Sequence, residues 1–224
     1  VTKLSDTDFQ HPQEYRTPTR LNIRELLTGD INRLAFVPRY STTFLIRSEN
    51  VAEHTAMVSI YCLMIARWVR KNTPLKIDLA KLLGRAAIHD LEEVRSGDVN
   101  RTYKHYDRTL HHRMNEVSEE LLGESLSRVM QMDEGFVGWM LGGWREAKDN
   151  TPEGRILAFA DMLQTVSFLS REWQLGNKTV IEPPVSLLHH FREMDSSNFD
   201  FLRPLVDQTW EFIQQTFGKE ADNG

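Results

Sequence analysis

The sequence predicts an all-α fold, a helical bundle, from three observations. Apolar residues recur at helical spacing through most of the 224 residues. Alternating β-branched runs, which would mark strands, are few. The apolar segments also carry start and stop signals that belong to helices. Together these place helices near 20–28, 50–71, 78–94, 107–122, 124–147, 152–175, 184–194 and 198–217.

Residues 1–18 are polar, contain Pro12 and Pro18, and read as a loosely held arm. Residues 19–224 show no repeat and no low-complexity linker, so they read as one domain. Asn50 followed by Glu53 resembles a capping box, in which Asn50 accepts from free N–H groups of the first turn. The helix it opens is apolar nearly all round (Val51, Ala52, Met57, Val58, Ile60, Tyr61, Leu63, Met64, Ile65), which predicts a central, buried position. Trp139 and Trp144, near Gly142-Gly143, pack a helix junction or a subunit contact. Thr151-Pro152 puts a cap before a proline at the first helical position, where the missing N–H costs nothing. Gly176 is a C-terminal stop. Phe199, Phe201, Leu202, Leu205, Trp210, Phe212 and Ile213 supply an apolar face that either closes the core or forms a homo-oligomer contact.

Composition narrows the function classes. A net charge of −5 argues against bulk attraction to nucleic acid or to an anionic membrane, while leaving room for a local basic pocket. No apolar run reaches the length of a membrane span, and no signal-peptide layout is present. The single cysteine, Cys62, lies in the apolar run SIYCLMIARW and reads as a packed core thiol. A reducing, cytoplasmic compartment is the expectation.

The stretch AAIHDLEEVRSGD, Ala86 to Asp98, sets a histidine and four acids behind an apolar helix. A solvated helix end and half of a metal site are both consistent with it, and composition alone supplies about half of one His-Asp pair by chance. Two further residues sit inside helices that the pattern marks as buried. His54 falls in the first turn of the helix from Asn50, and Asp161 falls mid-helix in RILAFADMLQTV. Taken singly, His54 reads as a satisfied core histidine and Asp161 as a buried salt bridge or a ligand. An isolated carboxylate there is expensive to bury unless it meets a cation.

Arg39-Tyr40, the string from Glu49 to His54, His89-Asp90-Leu-Glu-Glu93, Gly97-Asp98 and Asp161, in that order, resemble the motifs of the HD-domain metal-dependent phosphohydrolases. Within that family the pattern is similar to the branch of YfbR-type 5′-deoxynucleotidases and phage dATP triphosphohydrolases, over roughly residues 30–170. The resemblance implies a metal site between central helices, with ligands His54, His89, Asp90 and Asp161. Two imidazoles and two carboxylates suit one divalent ion, and Mn, Fe, Co, Ni, Zn and Mg all remain open.

Glu93 is four residues past His89 and three past Asp90, so it shares their surface and is the candidate for proton transfer. Glu92 faces elsewhere and reads as a solvated acid. Asp98, after the Gly97 turn, orients the attacking water or Glu93. The resemblance sets Lys104 against substrate phosphate, and a solvated lysine is the plain alternative. Arg39 holds phosphate or sugar. Tyr40 stands where these enzymes often have tryptophan, and either stacks on the base and crowds the 2′ position or packs at the edge of the core. His111-His112 and His189-His190 lie in polar helical stretches and receive no catalytic role.

The function these residues imply is hydrolysis of 2′-deoxynucleotides at the α-phosphorus. Arg101, Lys104, Arg108 and Arg113 tilt the expectation toward a triphosphate, with a 5′-deoxynucleotidase acting on monophosphates as the alternative. A catalytically idle nucleotide-binding scaffold is a reading of another class, and the complete ligand set with Glu93 argues against it. Cyclic-nucleotide hydrolysis would call for a second metal pair, which the sequence does not display.

Overall fold

The computed structural model describes residues 20–104, 106–131, 133–180 and 200–218. The expected arm at 1–18, the helix at 184–194 and His189-His190 lie outside these residues.

Two long helices form the centre. α2 (Val51–Asn72) and α8 (Pro152–Gln174) pack along each other, and α3 (Leu79–Ile88) lies against both. Their shared core contains Val58, Cys62, Ile65 and Val69 of α2, Leu82 and Ala86 of α3, and Ile156, Phe159 and Val166 of α8. The C-terminal helix α9 (Arg203–Phe217) closes this core with Val206, Ile213 and Phe217. α2 is central but not buried all round: Ile60, Leu63 and Met64 are exposed. Met64 borders an apolar cavity of about 510 Å³ between α2, α8 and α9, lined also by Tyr61, Leu163, Leu205 and Phe212 among others.

A second cluster joins Ile88, Leu91 and Val94 to Leu122 and Leu126 of α6 (Arg108–Val129) and Val137 of α7 (Glu134–Arg145). Here the boundaries differ from the sequence expectation. Gly123 does not end a helix, and α6 runs through it to Val129. A helical glycine costs only about 1 kcal/mol relative to alanine, and the buried Leu122 and Leu126 on either side hold the helix together. The break comes after Val129. There Met130–Gln131 (β2) pairs antiparallel with Arg20–Leu21 (β1), and the Asp133 carboxylate caps α7 by accepting from Phe136 N–H. The first helix accordingly starts at Ile23, capped by Asn22, and not at residue 20.

The capping box at Asn50 is present, with Asn50 accepting from Glu53 N–H and Glu53 accepting from Asn50 N–H. Thr151 caps α8 through Gly154 N–H ahead of Pro152. Close helix packing explains two glycines, Gly143 and Gly84. A Cβ at Gly143 would stand 3.0 Å from Ile88, and one at Gly84 would stand 3.2 Å from Trp139. Among the described residues no helix is long and apolar enough to cross a membrane.

Candidate active site

The expected helix over 78–94 ends six residues early, and this break builds the site. α3 stops at Ile88, the chain turns at 89–92, and a short turn of helix, α4 (Glu93–Ser96), follows. His89 Nδ1 lies 2.8 Å from the carbonyl of Ala86. A carbonyl only accepts, so Nδ1 carries the hydrogen and Nε2 is left with its lone pair. The side chain thereby satisfies an orphan carbonyl at the helix end while aiming Nε2 inward. Gly97 ends α4 at φ 72, a left-handed conformation that glycine adopts without a steric cost.

His54, in the first turn of α2, is fully buried. Its Nδ1 lies 2.6 Å from Gln164 Oε1, which also accepts from Arg39 Nη1 at 2.9 Å. The amide of Gln164 donates to Glu49 Oε1 at 2.5 Å, and Arg39 Nη1 donates to Glu49 Oε2 at 2.7 Å. With Gln164 oriented by Glu49, His54 must donate from Nδ1, and its Nε2 is also left facing inward.

The two Nε2 atoms stand 3.4 Å apart. Asp90 Oδ2 lies 3.2 Å from His89 Nε2 and 3.4 Å from His54 Nε2, and Asp161 Oδ1 lies 3.0 Å from His54 Nε2. His54, His89 and Asp161 each offer a ligand atom within 4.8 Å of the others, and Asp90 presses against both imidazoles. Two ring lone pairs and two carboxylates turned toward one point repel one another unless a cation lies among them. This donor set therefore fits a divalent metal ion. The same need appears in the proton affinities. Burial alone would push the His54 pKa down, but Asp161 and Asp90 draw it up to about 9. Burial opposes ionisation of Asp161, yet Lys148 and His54 keep its carboxyl well below the usual range, and His89 and His54 do the same for Asp90.

Glu93 follows within one turn. Its pKa is pushed up to about 10 by burial and by the negative charges of Asp90, Asp98 and Glu92, with Lys104 only partly opposing them. Asp98 stands close enough to act on Glu93, and its Oδ2 accepts from Tyr40 N–H at 2.8 Å. That bond pins Tyr40 at φ 57, the one non-glycine residue at positive φ among those described.

The structure revises the reading of Glu92 and places the other candidates. Glu92 is not a solvated acid: it is 4% exposed, accepts from Trp144 Nε1 at 2.7 Å and lies 3.5 Å from Lys104 Nζ. Burial first, and Asp90 second, raise its pKa. Its backbone turns back with 89–92, so the helical spacing that had pointed it outward does not apply. Tyr40 packs with Phe168, Leu169 and Val180, its ring stacked on Phe168 at 5.4 Å and the Arg39 guanidinium 4.7 Å from its centroid. Burial pushes its hydroxyl up to about 12. Arg39 is engaged by Glu49 and Gln164 behind His54. Arg101 lies in α5 (Arg101–Lys104), and its side chain is outside the described set. His112 is exposed beside Glu116, and His111 Nδ1 lies 3.2 Å from Lys104 O.

Sequence reading missed Gln164 and Lys148. Gln164 carries a legible signal, because it lies one helical turn after Asp161 as a polar residue in an apolar helix. Lys148 carries none, since REAKDN reads as a solvated loop.

This helical scaffold brings two histidines and two aspartates together, and solved structures share its fold. A Listeria innocua HD-domain phosphohydrolase is 23% identical, with a TM-score of 0.69, over 89% of this chain and 96% of that one. A conserved hypothetical protein of Pyrococcus furiosus is 22% identical, with a TM-score of 0.65, over 84% of this chain and 99% of that one. The cyanophage S-2L HD phosphohydrolase DatZ, solved with dA and one catalytic Zn²⁺ ion, is 18% identical, with a TM-score of 0.54, over 84% and 97% of the two chains. No curated protein matches the sequence. Residues 27–208 match the family model described as 5′-deoxynucleotidase YfbR-like, and the chain belongs to that family. It is a hydrolase.

Proposed function

We propose that this chain hydrolyses the 5′-phosphoester of 2′-deoxynucleoside monophosphates, with His54, His89, Asp90 and Asp161 holding one divalent cation. The carrying observation is the pair of imidazoles whose Nδ1 atoms are both engaged, so that both Nε2 atoms face Asp90 and Asp161. When bound, the cation supplies Lewis acidity toward a phosphoryl oxygen and a water molecule.

The chain's own residues do the rest. Gln164 and the Ala86 carbonyl keep the two histidines in the tautomer that presents Nε2. Glu93 retains a proton in neutral solution, because burial and three neighbouring acids disfavour its anion, and it gives that proton to the departing 5′ oxygen. Asp98 keeps the proton on Glu93 and ties the Arg39-Tyr40 segment to the site through the Tyr40 N–H. Lys104, beside Glu92, offers a cation to the phosphate. With its ring stacked against Phe168, Tyr40 bears on the sugar through its edge.

The cation run behind the triphosphate expectation is largely taken up elsewhere. Arg113 is exposed and paired with Glu116 at 2.8 Å and Arg108 is exposed, which leaves Lys104 as the described cation of that run beside the site. A monophosphate carries about −2 charge and needs fewer free cations than a triphosphate, which favours the monophosphate. The family and the deoxyadenosine bound in DatZ support a deoxynucleoside. Release of phosphate and of tripolyphosphate, measured across all dNMPs, dNTPs and their ribo counterparts with Mn²⁺, Co²⁺, Zn²⁺ and Mg²⁺, tests the reading. Phosphate from dNMPs at the highest kcat/KM is expected. Tripolyphosphate from a dNTP at a higher kcat/KM would make the chain a triphosphohydrolase instead.

A further inference from the structure

Lys148 lies in the link between α7 and α8, and nothing in the reading above uses it. Its Nζ is 2.6 Å from Asp161 Oδ2, while Asp161 Oδ1 lies 3.0 Å from His54 Nε2. The carboxylate therefore bridges an ammonium and the imidazole cluster, one oxygen to each. The backbone around Lys148 is braced on both sides. Ala147 is buried, Glu146 pairs with Arg85 at 2.8 Å, and Asp149 pairs with Arg85 at 2.9 Å. Asp149 also accepts from Thr151 N–H at 3.0 Å, joining the link to the start of α8. Arg85 itself is 3% exposed, so the brace is anchored in the interior.

An ordinary surface lysine paired with an acid contributes little. This one has a partner that is itself a metal-ligand candidate, only 25% exposed, on a link held by a buried arginine. We propose that Lys148 is a positioning residue that moderates the negative charge of the metal site. Paired with Oδ2 of Asp161 while Oδ1 faces His54, it withdraws charge from the donor set. The site then binds a divalent cation less tightly than the bare ligands would, and leaves that cation more electron-poor. This rests on the metal-site reading above.

The sign of the effect separates this role from a merely structural one. A structural lysine, once removed, loosens Asp161 and weakens metal binding. A charge-moderating lysine, once removed, lets the metal bind more tightly while turnover slows. A unit charge a few ångströms from a divalent ion, in a solvent-accessible mouth, corresponds to on the order of tenfold in affinity.

The test is calorimetric titration of Mn²⁺ into chelator-stripped full-length protein, for the parent, Lys148→Met, Lys148→Gln and Lys148→Arg, with circular dichroism to establish that each is folded. Lys148→Met should bind Mn²⁺ about tenfold more tightly and show a lower kcat at saturating Mn²⁺. Lys148→Arg should stay within about twofold of the parent, and Lys148→Gln, with the same charge change, answers if Lys148→Met does not fold. Equal or weaker Mn²⁺ binding by the folded neutral variant overturns the role of Lys148 while the parent's own binding preserves the metal site. A parent that binds no Mn²⁺ overturns both.

Discussion

Glu92 and Glu93 are sequence neighbours with different surroundings, and those surroundings assign them different work. Glu93 is raised to about 10, and among the described residues no side chain donates to it, so its proton is available. Glu92 is closed in by Trp144 Nε1 and Lys104. Glu93→Gln keeps the shape and loses the exchangeable proton. It should keep Mn²⁺ binding and lose about 10²–10⁴-fold in kcat, as a steady-state assay with parallel metal analysis will show. A variant turning over near the parent rate would pass the role to Asp98 or to no side chain. Glu92 is not the solvated acid that its spacing suggests. Glu92→Ala leaves the Trp144 indole N–H without its acceptor, a loss of about 1–3 kcal/mol, and thermal unfolding should show a lowered Tm.

At the scale of elements, the site is a meeting of helix ends and one mid-helix face. α2 contributes His54 from its first turn, the C-cap of α3 contributes His89, and α8 contributes Asp161 and Gln164 one turn apart. Gln164 links α8 to α2 through His54 and to the segment before α2 through Glu49 and Arg39. Gln164→Leu preserves volume but removes the acceptor that sets the His54 tautomer. Metal affinity should fall about 10–100-fold, as such supporting partners typically contribute, and His54 Nδ1 should lose its hydrogen-bonded proton resonance in NMR. Unchanged affinity would leave the tautomer to some other contact.

For the molecule as a whole, the charges gathered at the site make the metal-free protein sensitive to pH. The His54 pKa is raised from 6.5 to about 9, so its contribution to stability is fully present below 6.5 and is lost as pH rises through about 9. Glu93, also raised, adds to the same decline between 4.5 and about 10. Asp90 and Asp161 are depressed from 3.8, so their contribution is present above that value and fades as acid carries them through their folded values. Chelator-stripped protein should therefore lose Tm from about pH 6.5 to pH 9, and a saturating divalent ion should flatten that decline by standing in for the proton on His54. A metal-free Tm that held steady or rose across that range would contradict this protonation of the site.

Periodicity and capping were enough to reveal an all-α chain with α2, α8 and α9 as amphipathic or buried helices, because they depend on residues a few positions apart. Asn50 with Glu53, and Thr151 with Pro152, state their own helix starts, and the buried position of His54 follows from the apolar residues around it, whereas Asp161, expected buried, stays about a quarter exposed. What sequence spacing misread, it misread where distant contacts outweigh local preference. Gly123 stays helical because Leu122 and Leu126 are buried, and α3 ends at Ile88 because His89 caps it and turns inward. Glu92 is buried because Trp144, 52 residues away, meets it there. Gln164 and Lys148 acquire their places only when α8 packs on α2 and the α7–α8 link is braced by Arg85. A side chain's protonation and partners depend on charges and burial brought together through space, and those distances do not exist until the chain has folded.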